Sequence, residues 1–257
     1  MKITVCGAAG RMGQCILDLS RHDEALQVCA AVEYETSPAI GTGVPAIIPV
    51  SALETVLPET EVLIDFTNPD SSLRNLEYAK KYKVPIVIGT TGFISEQKEK
   101  IAEAAKEIPV VFTPNMSVGV NILFKLVKEV AALIPDYDIE IVEIHHNKKK
   151  DSPSGTGAKL ADIAAAAIGK NMNEVGVYGR KTIMGERKKD EIGVMSVRGG
   201  DIVGEHTVYF AGTGERLELT HRAQSRNTFG AGAIRAAKWV VGKEPGLYDM
   251  HDVLGLK

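Results

Sequence analysis

Short apolar runs alternate with polar stretches through the first 115 residues. Lys2–Cys6, residues 26–32, 62–66 and 85–88, and Pro109–Phe112 are each almost continuously apolar. Runs this short and this apolar predict strands buried on both faces of a parallel sheet. Leu73, Leu76 and residues 78–81, following Asp70-Ser71-Ser72, predict one helix between them. Ile101, Ala105 and Ile108, following Ser95, predict another, and the Asp and Ser residues are candidate caps. Such alternation implies βαβ units and a doubly wound sheet. Residues 35–58 carry scattered Pro and Gly and predict loop with one short element.

The texture changes near Asn115. Leu123, Leu126, Val127, Val130 and Leu133 follow helical spacing and predict a long amphipathic helix. Residues 138–145 alternate like a strand, and Leu160, Ile163, Ala164 and Ala167 mark a second helix. Residues 192–198, 205–210 and 216–221 then read as three close-set strands, joined by hairpin-type turns at Gly199-Gly200-Asp201 and Gly212-Thr213-Gly214. Strands without intervening helices predict an antiparallel or mixed sheet. Ile234, Ala237 and Val241 mark a last helix before a tail rich in Gly and Asp. The expected organisation is a dinucleotide-binding domain at 1–115 and a substrate and oligomerisation domain at 116–226. A C-terminal helix and tail at 227–257 would return to the first domain.

A chain of 257 residues with 44% hydrophobic and 25% charged positions suits a soluble globular protein, not a disordered or fibrous one. No apolar run reaches the length of a membrane span. The first residues lack the pattern of a signal peptide, so the expected location is cytoplasmic. A net charge of -3 argues against a dedicated nucleic-acid binder. Cys6, Cys15 and Cys29 form no C-x-x-C pair, and an odd count fits a reducing compartment.

Gly7-Ala8-Ala9-Gly10-Arg11-Met12-Gly13 follows the first strand and opens a helix, the context of a dinucleotide fingerprint. Its G-x-x-G-x-x-G spacing is a variant of the usual G-x-G-x-x-G. Glu33 stands 20 residues after Gly13, at the end of the second strand, where a carboxylate accepts from the adenosine ribose. Tyr34 and Glu35 follow it with no adjacent cation for a 2′-phosphate, so NADH is expected to bind at least as well as NADPH. Gly89-Thr90-Thr91-Gly92 and Thr113-Pro114-Asn115-Met116 end the fourth and fifth strands, on the side where open α/β sheets bind ligands.

The densest chemistry is Glu143-Ile-His145-His146-Asn147-Lys148-Lys149-Lys150-Asp151-Ser152-Pro153-Ser154-Gly155-Thr156-Gly157. A glycine-rich helix start favours an anion, a loop cation strengthens it, and a histidine near its ordinary pKa of about 6.5 suits proton transfer. On this spacing the three lysines are equivalent. Adjacent histidines on a strand face opposite ways, and no third His or Cys stands nearby, so no metal is expected.

With these motifs in place, the chain resembles the 4-hydroxy-tetrahydrodipicolinate (dihydrodipicolinate) reductase family over essentially its whole length. The likeness also rests on Ile64-Asp65-Phe66-Thr67, Asn115-Met-Ser-Val-Gly119-Val-Asn121 and Gly200-Asp-Ile-Val-Gly-Glu-His206. It implies a Rossmann-type α/β fold with an inserted α+β domain. It also implies NAD(P)H-dependent reduction of a cyclic imine dicarboxylate in lysine and diaminopimelate biosynthesis, and a homotetramer built through the second domain's sheet. By the same resemblance His145 is the general acid/base and Lys149 the proton donor, while His146, Ser154, Gly155 and Thr156 bind the substrate. Gly7, Ala8, Ala9, Gly10, Arg11, Met12, Glu33, Gly89, Thr90, Thr91, Thr113, Pro114, Asn115 and Met116 bind the dinucleotide. Tyr34 stands where many NADPH-using relatives place Arg, and Asn68 where some place Arg or His.

Overall fold

The computed structural model describes residues 1–182 and 185–256. The chain runs β1 (Lys2–Cys6), α1 (Arg11–Arg21), β2 (Gln27–Glu33), β3 (Ile47–Pro49), α2 (Leu53–Val56), β4 (Val62–Asp65), α3 (Pro69–Lys81), β5 (Ile86–Ile88), α4 (Ser95–Ala104) and β6 (Pro109–Phe112). It continues through α5 (Val118–Leu133), β7 (Asp138–His145), α6 (Gly155–Ala167), α7 (Met172–Val175), β8 (Gly176–Val177), β9 (Ile192–Arg198), β10 (Gly204–Gly212) and β11 (Glu215–Ala223). It ends with α8 (Asn227–Val240), β12 (Gly246–Tyr248) and α9 (Met250–Leu254). Two compact units result, one of residues 1–118 with 226–257, the other of residues 119–225.

The first unit is built on a parallel sheet of seven strands ordered β12-β6-β5-β4-β1-β2-β3. Ile3, Val5, Ile64, Val87 and Val111 face α1, α8 and α9, where Ile16, Ala233, Ala237 and Met250 are buried. Cys6, Leu63, Ile86, Ile88 and Val110 face the other way, against Leu76, Ala79 and Ile101 of α3 and α4. Apolar side chains at successive strand positions thus enter cores on both faces, as continuous apolar runs require. The edges differ from the sequence reading. Residues 35–58 hold β3 and α2, and the tail holds β12 and α9. Both added strands have three residues, too few to show a period.

Helix starts also shift. Asn68, not the Asp70-Ser71-Ser72 run, caps α3 by accepting from the Ser71 amide, and Pro69 takes the first helical position. Ile94 precedes α4, and Ser95 lies inside its first turn.

The second unit carries a mixed sheet ordered β11-β10-β7-β9-β8. β10 pairs antiparallel with both β7 and β11, while β9 pairs parallel with β7. The turn at Gly212-Thr213-Gly214 is a hairpin with Gly214 at φ +84. Gly199-Gly200-Asp201 is not, because β7 lies between β9 and β10. That link crosses the end of β7, and the Gly199 amide donates to the His145 carbonyl at 2.9 Å. β7, α6 and β9 form a parallel crossover whose helix packs on one face of the sheet beside α5. The buried stripe of α5 is Val120, Leu123, Phe124, Val127 and Ala131. Leu126 and Leu133, expected on that stripe, are 40% and 79% exposed. The core-facing side is rotated toward Phe124 and Ala131.

Gly13 shows how tightly α1 seats on the first turn. A Cβ there would stand 2.1 Å from the Gly7 carbonyl oxygen and 2.7 Å from the Ala8 Cα, both backbone. Gly13→Ala is therefore expected to cost at least about 1–3 kcal/mol, the range for overpacking. Gly199→Ala, which meets open space, should stay within about 0.5 kcal/mol of the parent. Urea unfolding of both variants measures the difference.

Candidate functional site

In the first unit the loops after β1, β2, β4, β5 and β6 leave the same, carboxyl edge of the sheet. A cavity of about 320 Å³ opens there, with Gly7, Gly10, Glu33, Tyr34, Thr67 and Asn68 in its wall. Gly7 takes φ +79, and a Cβ on it would stand 2.3 Å from the Phe66 carbonyl oxygen. Gly10 precedes α1 and no side chain caps that helix. The amides of its first turn are therefore open to an anion. Glu33 accepts from the Ala9 amide at 2.9 Å, so the second strand's carboxylate is drawn to the glycine turn.

The expected loops join this edge. Gly89 leaves room for the Phe66 ring, which a Cβ would meet at 2.1 Å. Thr90 is buried; its hydroxyl donates to Asp65 and accepts from the Thr67 amide. Thr91 and Pro114 are exposed, and Met116 is buried. Thr113 donates to the Asn115 carbonyl, and the Asn115 side chain accepts from the Ser117 amide. Beneath them Asp65 is fully buried and accepts from Thr67, Ser72, Asn75 and Thr90. Burial raises its pKa against the pull of those donors. The four donors facing it still favour the carboxylate form. Arg74 also lines the cavity, a residue the sequence reading did not connect with the Glu33 end. An uncapped helix start and a carboxylate at the end of β2 around a glycine cradle fit a dinucleotide.

In the second unit the polar site grows out of the core face of the sheet. Along β7, Ile139, Ile141, Glu143 and His145 are buried in strict alternation. In register beside Glu143 stand Ser196 on β9 and His206 on β10, with His221 on β11 beyond. Arg198 stands beside His145. One sheet face thus changes from apolar to charged at the carboxyl end of β7.

Glu143 has no exposed surface. Arg198 holds it with two nitrogens at 2.7 and 2.8 Å. The Ser154 amide donates to its Oε1 at 3.1 Å, and His145 Nδ1 lies 2.5 Å from its Oε2. Burial opposes the charge, but Arg198, Ser196, His145 and the Ser154 amide outweigh it and bring the pKa down to about 2. Burial keeps His145 below its ordinary value despite Glu143, and Lys149 and Arg198 add to the effect. A neutral imidazole beside a carboxylate places its hydrogen on Nδ1.

Ser154 caps α6 by accepting from the Gly157 amide, and its Oγ lies 3.0 Å from His206 Nε2. The hydroxyl and the His206 ring thus share one hydrogen bond. Burial lowers His206 to about 3. Lys149 is largely shielded and pairs with Asp151 at 2.9 Å, while Lys148 and Lys150 are exposed. His146 turns away from His145 and accepts from the Lys148 amide. Gly155 is exposed at the helix start, with Thr156 next to it. Sequence reasoning missed Glu143, Arg198 and His206 as site members. Glu143 was detectable, because it shares the phase of Ile139 and Ile141 and so had to be buried. Among the described residues no cluster of His, Cys, Asp or Glu could hold a metal, and no helix is long and apolar enough to cross a membrane.

A Rossmann-type sheet with an open glycine turn, and a second unit with a buried histidine bonded to a carboxylate at the end of a strand, fit a pyridine-nucleotide-dependent oxidoreductase. The chain belongs to the dihydrodipicolinate reductase family: its N-terminal model matches residues 1–116 and its C-terminal model residues 119–254. A 4-hydroxy-tetrahydrodipicolinate reductase of Syntrophotalea carbinolica is 53% identical over 266 aligned positions, covering all of both chains. One of Geobacter sulfurreducens is 52% identical, covering 100% of this chain and 99% of its own. Among solved structures, a dipicolinate-bound dihydrodipicolinate reductase from a Paenisporosarcina species superposes with a TM-score of 0.80 at 24% identity, over 97% of each chain, and supports the fold. The activity is the NAD(P)H-dependent reduction of 4-hydroxy-tetrahydrodipicolinate in lysine and diaminopimelate biosynthesis.

Glu143 and His206 are expected to make the fold acid-labile in two stages. His206 is neutral when folded, with a pKa of about 3 against 6.5. Its contribution is intact above pH 6.5 and is lost as pH falls from there toward 3. Glu143, at about 2 against 4.5, adds stability present above pH 4.5 and lost as pH falls toward 2. His206→Phe should reduce the slope of the urea midpoint against pH between 6.5 and 4.5. Glu143→Gln should reduce it below 4.5.

Proposed function

We propose that His145 is the general acid/base of this reduction and Lys149 its proton donor. The single observation carrying this is the neutral, buried imidazole at the end of β7, with Nδ1 on Glu143 and the Lys149 ammonium and the start of α6 close by in the chain. A bound nicotinamide supplies the hydride. The chain's own groups orient the dicarboxylate and move the protons. His146, Gly155 and Thr156 hold carboxylate oxygens. Ser154 takes part by shaping the helix start, because its amide and hydroxyl are engaged with Glu143, Gly157 and His206.

Gly7, Ala8, Ala9, Gly10, Arg11 and Met12 receive the pyrophosphate, and Glu33 the adenosine ribose. Gly89, Thr90, Thr91, Thr113, Pro114, Asn115 and Met116 shape the nicotinamide end. NADH serves at least as well as NADPH. Glu33 and exposed Tyr34 form the ribose wall, and Glu35 is tied to Ser51. Arg74 lines that wall, and Arg11, which follows Gly10 in the chain, is exposed, which leaves NADPH as a second substrate. Three free cysteines suit a cytoplasmic enzyme. The sheet face opposite α5 and α6, with Val142, Ile144, Met195, Val197 and Tyr209, is the surface for a homotetramer. Light scattering in solution checks that state.

His145→Gln and Lys149→Ala should each lower kcat by at least about 100-fold, the scale of a lost proton-transfer group, while NADH binding by fluorescence titration is unchanged. Near-normal turnover in both would overturn the assignment. NADH and NADPH oxidation are compared with substrate generated in situ from pyruvate and aspartate semialdehyde. The expected kcat/KM for NADH equals or exceeds that for NADPH. An NADPH preference above about tenfold, or 1.4 kcal/mol, would overturn the cofactor reading.

A further inference from the structure

We propose that Glu143, held by Arg198, is a positioning residue that sets the tautomer of His145 and leaves Nε2 as its proton-transfer atom. This rests on the reading of His145 as the acid/base.

The two oxygens of Glu143 are divided between tasks. Oε2 faces His145 Nδ1, and Oε1 accepts from the Ser154 amide at the start of α6. One carboxylate therefore sets both the proton-moving ring and the anion-facing helix start. It is fixed in turn by the Arg198 fork, whose second nitrogen also donates to the Asp151 carbonyl at 2.8 Å. Arg198 thereby ties the Lys149–Asp151 loop to the same carboxylate. A planar guanidinium does this and a lysine ammonium does not.

The other edge of the ring is cleared by a missing side chain. A Cβ on Gly204 would stand 2.9 Å from His145 Nε2. The His206 ring meets His145 edge to face at 5.2 Å, which fixes its plane. With Nδ1–H donated to Glu143, Nε2 carries the lone pair. It takes a proton to become imidazolium and later returns it, while Nδ1–H stays on Glu143. The charged groups around the ring are Glu143 on β7, Arg198 on β9, and Lys149 and Asp151 on the loop. His206 on β10 and His221 on β11 are the further titratable groups. Among the described residues Glu143 is the one anion bonded to the ring, so its loss disfavours the imidazolium.

The first test does not use turnover. In protein labelled with [15N]histidine, His145, assigned through His145→Gln, is expected as the Nδ1–H tautomer at neutral pH. An Nε2–H tautomer overturns the proposal. Glu143→Gln is expected to lower kcat about 100-fold, the upper range for a lost outer-shell partner. It should shift the acid inflection of the pH–rate profile downward by about one unit and leave NADH binding within about twofold. Arg198→Lys keeps the charge and loses the fork, and should show a smaller loss in the same direction. An unshifted inflection with kcat within about threefold in Glu143→Gln overturns it. Should Glu143→Gln not fold, the wild-type tautomer and Arg198→Lys decide. Full activity in His145→Gln would defeat the acid/base reading itself. An inactive His145→Gln beside a fully active Glu143→Gln would defeat only the positioning role.

Discussion

A carboxylate with no exposed surface has to be surrounded by donors, and Glu143 imposes that requirement on everything near it. An unpaired ion in the interior costs several kcal/mol, so its neighbours are set by its needs. β9 must run parallel to β7 to bring Arg198 to its side. The loop after β7 must return so that the Ser154 amide meets Oε1. His145 must turn Nδ1 inward. The parallel crossover, the helix start and the imidazole orientation are three consequences of one buried charge.

The first unit meets a similar demand without a cation. Asp65 is as buried as Glu143, but its donors are hydroxyls and an amide from Thr67, Ser72, Asn75 and Thr90. Neutral donors stabilise the anion less, which is why burial raises Asp65 while Arg198 lets Glu143 fall. The gain is geometric. The carboxylate joins the end of β4 to α3 and to the loop after β5, at the edge where the glycine turn lies. A fixed cation under that edge would compete with the open amides of α1 for phosphate.

How much of this was legible in the chain depends on the length of the signal. The five apolar runs announced the parallel sheet, because continuous hydrophobicity has few other uses at that length. β3 and β12 stayed hidden, since three residues carry no period and their edge positions need no apolar run. The Gly199-Gly200 link looked like a hairpin because its composition is that of a turn. Composition does not say which strand lies beside which, and β7 had already taken the place between β9 and β10. His145, Lys149 and the Ser-Gly-Thr helix start were visible as local chemistry. Arg198, 53 residues beyond His145, had no local mark. Its role exists only once the crossover brings β9 alongside β7, whereas the burial of Glu143 could be read from its phase with Ile139 and Ile141.

The two helix starts are capped differently, and on the proposed reading each suits a different anion. α1 begins after Gly10 with no side-chain cap, so its first-turn amides face outward as a group. Several parallel N–H donors at a positive dipole end suit the spread charge of a pyrophosphate. α6 begins after Ser154, whose oxygen already takes the Gly157 amide and which shares a hydrogen bond with His206. Fewer donors remain there, and they sit beside a lysine and two histidines. That arrangement suits a compact carboxylate that must be held in one orientation while a proton moves. A serine cap on α1 would fill its own helix end, and a glycine in place of Ser154 would release His206 and loosen the α6 start. Exchanging a single cap residue would thus blur the distinction between the two proposed anion sites, although neither cap is itself a charged group.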